Sequence, residues 1–432
     1  MCATSGTNHA DVDTLLPRFT SFAPIPVSHV KHNICWPAII ILLYAGAAHG
    51  QIPREPDPAT VRVRIGPLLL NPILSLTNAG IDTNVFNNAE DDQPKRDFTL
   101  TVSPQTDVWL RMGRTWVMGN IKEDIVWYNK YASERAANTA SALNWLVPLT
   151  RLAFVVGGGV LHTNERPGFE IDARADRNER GLNGAFEIRA LSRTLFGARG
   201  ELRKFEFDDN AVFLGTNLHD ELNRTLTAAS VTMRHELTPL TSVTVDLGRQ
   251  QERFDSSPFR DADSTQVNVG LRFDAFAVIS GFAQVGFRQY TPLSSDLPRY
   301  AGSIASVNLS YVALGATRLG VVIGRDIDHS FEFNQPYYLR TGIAVSVGQQ
   351  IYGPLEVQGR VGTQRMAYRD RADSIAVLDR QDRVRSYGTG IGYRLARDLR
   401  IGFNVDQQKR ESLIDERRFN GLRYGMAVSY GQ

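Results

Sequence analysis

The stretch Thr265–Asp274, "TQVNVGLRFD", sets Val267, Val269, Leu271 and Phe273 against Asn268, Gly270, Arg272 and Asp274. Successive side chains of a β-strand leave the backbone on opposite sides, so a period of two predicts a strand with two different faces. The pattern recurs in "TSVTVDLGRQ" (Thr241–Gln250), "PLEVQGRVG" (Pro354–Gly362) and "LRIGFNVDQ" (Leu399–Gln407). It also shapes the last stretch, "GLRYGMAVSYGQ" (Gly421–Gln432), where Leu422, Tyr424, Met426, Val428 and Tyr430 alternate with small or polar residues. The second face is rich in Gly, Ser, Thr, Asn, Arg and Asp. It suits a water-filled lumen, while the apolar face suits lipid.

Around these strands, eight short turns, from 111–114 to 395–398, alternate with nine longer loops, from 81–96 to 409–418. This rhythm predicts an all-β fold: a transmembrane antiparallel up-and-down barrel of about 18 strands, with short periplasmic turns and longer extracellular loops. A soluble sandwich or propeller would fill both faces of its sheets differently and keep no long–short rhythm. Residues 181–207 are less regular and also score as helix by propensity. Trp109 and Trp116 flank the first turn, and Trp127, Tyr128 and Trp145 lie near strand ends. All five are read as interfacial aromatics.

The chain has 432 residues, 22% of them charged, and a net charge of +2. That balance gives no case for nucleic acid, which requires a basic stripe. After residue 50 the only lysines are Lys95, Lys122, Lys130, Lys204 and Lys409, an arginine bias read first as codon usage. Ile34–Gly50, "ICWPAIIILLYAGAAHG", follows Lys31 and His32 and ends in small residues. It is read as a secretory signal cleaved near Gly50, too short for a membrane span. The polar residues before it exceed an ordinary n-region, so translation is expected to start at Val27 or Val30. Residues 1–50 are thus extension and signal, 51–67 a periplasmic segment, and 68–432 the outer-membrane barrel. Cys2 and Cys35 fall before the cleavage point, leaving no disulfide or thiol chemistry.

No enzyme, cofactor or metal is expected. His162, His219, His235 and His329 lack metal-ligand spacing. Val155–Val160, "VVGGGV", lacks the lysine of a phosphate loop, and no nucleophile motif occurs. Parity assigns Asp246, Arg272, Asp274, Arg288, Glu356, Arg360, Arg400 and Asp406 to the lumen. Their interleaved signs point to internal salt bridges or a transverse field. The third long loop carries Glu165, Arg166, Glu170, Asp172, Arg174 and Arg177. It is expected either to stay solvated outside, the preferred reading, or to fold inward as a constriction. Arg423, Gly425, Val428 and Tyr430 read as the terminal signal for the barrel-assembly machinery, with Gly431 and Gln432 following the aromatic.

One further stretch is distinctive. Pro72–Asn88, "PILSLTNAGIDTNVFNN", contains Gly80, Asp82, Asn84, Val85 and Phe86. With the "VSP" of Val102–Pro104 and a third strand ending in tyrosines, it resembles the putative β-barrel porin 2 family. The resemblance implies an outer-membrane barrel often tied to exopolysaccharide secretion, working with periplasmic export components. Composition alone implies only a channel. The competing expectations are a polysaccharide conduit, a diffusion porin for small solutes, and a structural or adhesin barrel. Asp82 and Asn84 are read as a hydrogen-bonded loop entry in preference to a ligand site.

Overall fold

The computed structural model describes residues 52–431 except 54, 57, 59–60, 275–276, 373 and 375–378. The signal segment, the extension before it, both cysteines and Gln432 lie outside the described residues. A short strand β1 (Val63–Ile65) precedes the barrel. The wall begins with β2 (Leu68–Asp82), β3 (Asp97–Met112), β4 (Thr115–Tyr128), β5 (Ala136–Pro148), β6 (Leu152–Glu165), β7 (Ala175–Arg189) and β8 (Thr194–Phe207). A two-residue hairpin, β9 (Val212–Phe213) and β10 (Thr216–Asn217), and a one-turn helix Leu218–Leu222 fill the following loop. The wall resumes with β11 (Arg224–Thr238), β12 (Thr241–Phe254), β13 (Ala262–Phe273), β14 (Ile279–Pro292), β15 (Tyr300–Ala313) and β16 (Thr317–His329). It ends with β17 (Tyr337–Tyr352), β18 (Leu355–Arg369), β19 (Gln381–Ala396), β20 (Leu399–Glu411) and β21 (Phe419–Tyr430).

Each wall strand pairs antiparallel with its neighbours, and β21 pairs back onto β2, closing an 18-strand barrel. The strand turns and loops fall where the alternation rhythm sets them. Residues 181–207 form parts of β7 and β8, because pairing on both sides overrides local helix propensity. The wall strands run from 12 to 16 residues. A tilted strand needs only about 10 to cross a bilayer, so the longer ones stand clear of it.

The apolar parity faces outward. Leu182 is 65% exposed and Val285 61%, with Leu143, Val156, Val231, Phe287 and Met426 similarly bare. Such a continuous apolar belt is untenable in water and ordinary against lipid. The seam between β2 and β21 explains the distinctive motif. Asn78 takes a positive φ of 54° at a register shift. Two residues on, Gly80 approaches β21 so closely that a Cβ would overlap the Tyr424 carbonyl. Arg423 pairs with Asp82 at 2.6 Å, and Asp82 also accepts the Asn84 N–H. The Asn84 amide bonds to the carbonyls of Asn88 and Asn420, holding the loop entry to the last strand. Val85 is fully buried against Val126 and Tyr128. The motif closes the ring.

At the long-loop end one hairpin leaves the wall. β15 and β16 pair only as far as Ala305 and Arg325, while β16 and β17 stay paired to His329 and Tyr337. The freed tip bends inward, and Ile327, Tyr337 and Leu339 pack against Tyr290, Tyr300 and Ala262.

Candidate functional site: a lumen with loops folded into its long-loop end

The wall of the lumen is built around β18, β19 and β20. Gly388, Gly390 and Gly392 on β19 face inward, and side chains of the flanking strands reach across them. Arg360 Nε donates to Asp406 at 2.9 Å, Gln358 to Asn404 at 2.9 Å, and Arg400 to Glu356 at 2.6 Å. A Cβ at Gly388 would overlap both Arg360 and Asp406, so the glycines are what permit the bridges. Glu187 on β7 likewise reaches Arg234 on β11 at 2.6 Å, across β8 at Gly197. Arg288 is buried with Asp326 at 2.8 Å and with the Ser264 hydroxyl. Asp246 accepts from Thr232 Oγ1 at 2.9 Å. Arg272 is exposed at the periplasmic end of β13. Asp274 lies past that strand's end, its N–H donating to the Leu240 carbonyl, so it belongs to the rim rather than the pore wall.

The third long loop, 166–174, folds into the lumen, against the preferred expectation of a solvated external loop. Phe169, Glu170 and Ile171 are all buried. Glu165 remains on β6, bonded to Asn138, and Arg177 on β7 pairs with Glu179 at 3.0 Å. Arg166 donates to the Val85 carbonyl at 2.7 Å. Arg174 pairs with Glu134 at 2.9 Å and donates to Tyr128 Oη. The far side of the barrel supplies the anchor: Arg410 of β20 donates to the carbonyls of Phe169 and Glu170 and pairs with Asp172 at 2.8 Å. Its other end meets Asp382 of β19 at 2.6 Å, which also pairs with Arg380. Arg417 adds a bond to the Glu170 carbonyl.

Loop 330–336 meets it from the other side. Arg260 donates to the carbonyls of Ser330, Glu332 and Pro336 and pairs with Glu221. Phe331 packs with Phe213, Leu218, Leu222 and Ile171, so three loops meet in one apolar cluster inside the mouth. Arg260 and Arg410 are each 1% exposed. One guanidinium serving several carbonyls and a carboxylate is work for which a lysine ammonium has the wrong geometry. The arginine bias therefore has a structural use here besides codon usage.

Beneath this cap lies a cavity of about 370 Å³, walled by β6, β7, β8, β11, β12, β13, β14, β16 and β17. Glu201 sits between Arg199 and Arg203 on β8, Arg340 pairs with Asp328 at 3.1 Å, and His329 meets Glu252. Arg224 stacks on Phe205 with 4.1 Å from guanidinium to ring centroid. At the periplasmic end Leu69, Trp116 and Leu146 are buried beneath Ile52 and Val61, with Trp109 and Met118 beside them. Trp116 Nε1 donates to Glu55 at 3.1 Å. Trp109 and Trp116 thus face the lumen, contrary to the interfacial expectation. Trp127 and Trp145 are exposed on the lipid face, and Tyr128 is buried inside. Ile52, Glu55 and Val61 thus lie against the inner face of the barrel at the short-turn mouth.

Of the histidines, His162 meets Asn178, His219 sits between Asp209 and Asp220, and His235 meets Thr194. Among the described residues no group of three or more His, Cys, Asp or Glu is arranged to hold a metal.

A closed 18-strand wall, lipid-facing outside and ion-paired within, defines an outer-membrane porin-type channel. The chain belongs to the putative beta-barrel porin 2 family, whose match spans residues 55–430. No curated protein matches it. Similar solved structures include the outer membrane protein OpdK from Pseudomonas aeruginosa, 12% identical over 84% of this chain and 98% of that one, with a TM-score of 0.44. OccK2 (OpdF) from the same organism, solved with glucuronate, is 10% identical over 84% and 97%, with a TM-score of 0.45. A BenF-like porin from Pseudomonas fluorescens Pf-5 is 9% identical over 85% and 98%, with a TM-score of 0.46.

Proposed function

We propose that the protein is a passive, non-enzymatic outer-membrane channel for small polar solutes, reached through the secretory signal near Gly50 and inserted by the barrel-assembly machinery through the strand ending at Tyr430. The observation that carries this reading is the division of the lumen. Its wall is fixed by strand pairing and by ion pairs of both signs, whereas its outer mouth is filled by loops alone. The cavity beneath those loops, about 370 Å³, is on the scale of a small-molecule site. Balanced charge along the wall favours polar solutes without selecting one sign.

Export of a polysaccharide, which the family resemblance implied, finds no support in the family match or the similar structures. The inward fold of loop 166–174 is the one feature in its favour, since a conduit for a polymer must be held shut when idle. Proteoliposome swelling with neutral sugars of increasing size separates the readings. Under the porin reading, small sugars enter and loss of the gene leaves surface polysaccharide unchanged. No swelling with any sugar, together with loss of surface polysaccharide in the deletion strain, would favour export. Neither effect would leave a structural or adhesin barrel.

A further inference from the structure

We propose that loop 166–174 is a proton-operated latch: it stays docked while the Glu170 side chain is protonated and is released when that proton leaves. The docking geometry carries the argument. Glu170 is 2% exposed and sits where loop 166–174 meets loop 330–336. Its carboxyl receives the Ser330 hydroxyl at 2.6 Å and, more distantly, the Phe331 N–H at 3.4 Å. Four arginines surround the site, yet each is engaged elsewhere. Arg410 serves two carbonyls, Asp172 and Asp382; Arg417 serves the Glu170 carbonyl and Asp172. Arg380 pairs with Asp382 and Glu332, and Arg260 with Glu221. Tyr338, Met366 and Tyr368 pack with the neighbouring Phe169 on the apolar side. A charged carboxylate there loses its hydration for two donors, one of them long, whereas a neutral acid fits.

Burial accordingly pushes the Glu170 carboxyl up from its ordinary 4.5 to about 7, against the opposing pull of Ser330, Arg417, Arg380 and Arg410. The docked loop therefore binds this proton more tightly than the released loop. Below about pH 4.5 both forms are protonated and pH has no effect. Between 4.5 and 7 the docked form loses its advantage as pH rises, and above 7 the loss is complete. At tenfold per pH unit, the released-to-docked ratio rises by at most about 300-fold across that window. That release widens a solute path rests on the channel reading above; the latch itself does not.

The test places the only thiol of the mature chain at buried Ile171 (Ile171→Cys), with Leu413→Cys, 61% exposed, as reference. Labelling by an impermeant maleimide, divided by the reference rate at each pH, should rise from pH 5 to pH 8. In the Glu170→Gln background, which mimics the neutral acid, it should stay low throughout. Hydrogen exchange of peptides covering 166–174 in the chain without added cysteine should follow the same course. A pH-independent rate would overturn the proposal. So would a rise that persists in Glu170→Gln, which would move the switch to another group, or labelling of Glu170→Gln at every pH, which would make the charged form the docking one. Bilayer current is recorded on the same samples. If labelling follows Glu170 while current stays absent, the latch stands and the channel reading falls.

Discussion

The lower wall of the lumen and its outer cap use the same chemistry, arginine against carboxylate, to opposite ends. Along β18–β20 the pairs lie flat over a glycine strand, joining residues whose positions strand pairing has already fixed. In the cap, Arg260, Arg410 and Arg417 reach main-chain carbonyls of loops that no strand register holds. Removing a wall pair should alter what passes. Removing a cap arginine should alter whether anything passes.

The largest effect is expected for Arg410→Ala. It strips bonds from Phe169, Glu170 and Asp172 and leaves Asp382, fully buried, with half its cationic support. Breaking a buried pair on one side costs about 3–5 kcal/mol, enough to undock the loop. Single-channel recordings should show openings far more often than in the wild type, with the barrel still heat-modifiable on gels. Arg410→Lys should recover little of the closure, because it restores charge without the planar fork.

Gly388→Val should act on the wall. The added side chain overlaps Arg360 and Asp406, and overpacking of this kind costs about 1–3 kcal/mol. Urea unfolding in detergent should shift by that amount, with loop docking unchanged. If the variant instead opens the channel, wall and cap are not separable.

The smallest effect is expected for Arg400→Gln. Glu356, about a third exposed, loses its partner, and exposed pairs contribute about 0–1 kcal/mol, so stability should barely move. Reversal potentials in a salt gradient should drift toward cation preference, because an uncompensated carboxylate then faces the pore.

The same division governs what the sequence discloses. Val267, Val269 and Leu271 announce their strand because a period of two is forced by backbone geometry. The wall pairs Arg360–Asp406 and Arg400–Glu356 join residues 46 and 44 apart, yet parity alone puts all four on one face. Asp82 and Asn84 are legible as a loop entry because their short side chains cap local N–H groups. The cap has no such periodicity. Glu170, Arg260, Arg380 and Arg417 lie in polar loops, where charge ordinarily means solvent, and the loop aromatics do not separate inside from outside: Phe169 and Phe331 are buried while Phe333 is exposed. Trp109 and Trp116 misled for a related reason: proximity to a turn fixes their depth, but parity fixes their face.

Whether loop 166–174 closes the lumen is decided by replacing residues 167–173 with a short Gly-Ser linker and recording single channels in a planar bilayer at pH 6. No wall strand loses a residue in that variant, so the barrel should fold as before. The wild type should be shut most of the time and the variant should show large, sustained conductance. Equal conductance in the two would contradict closure by the loop.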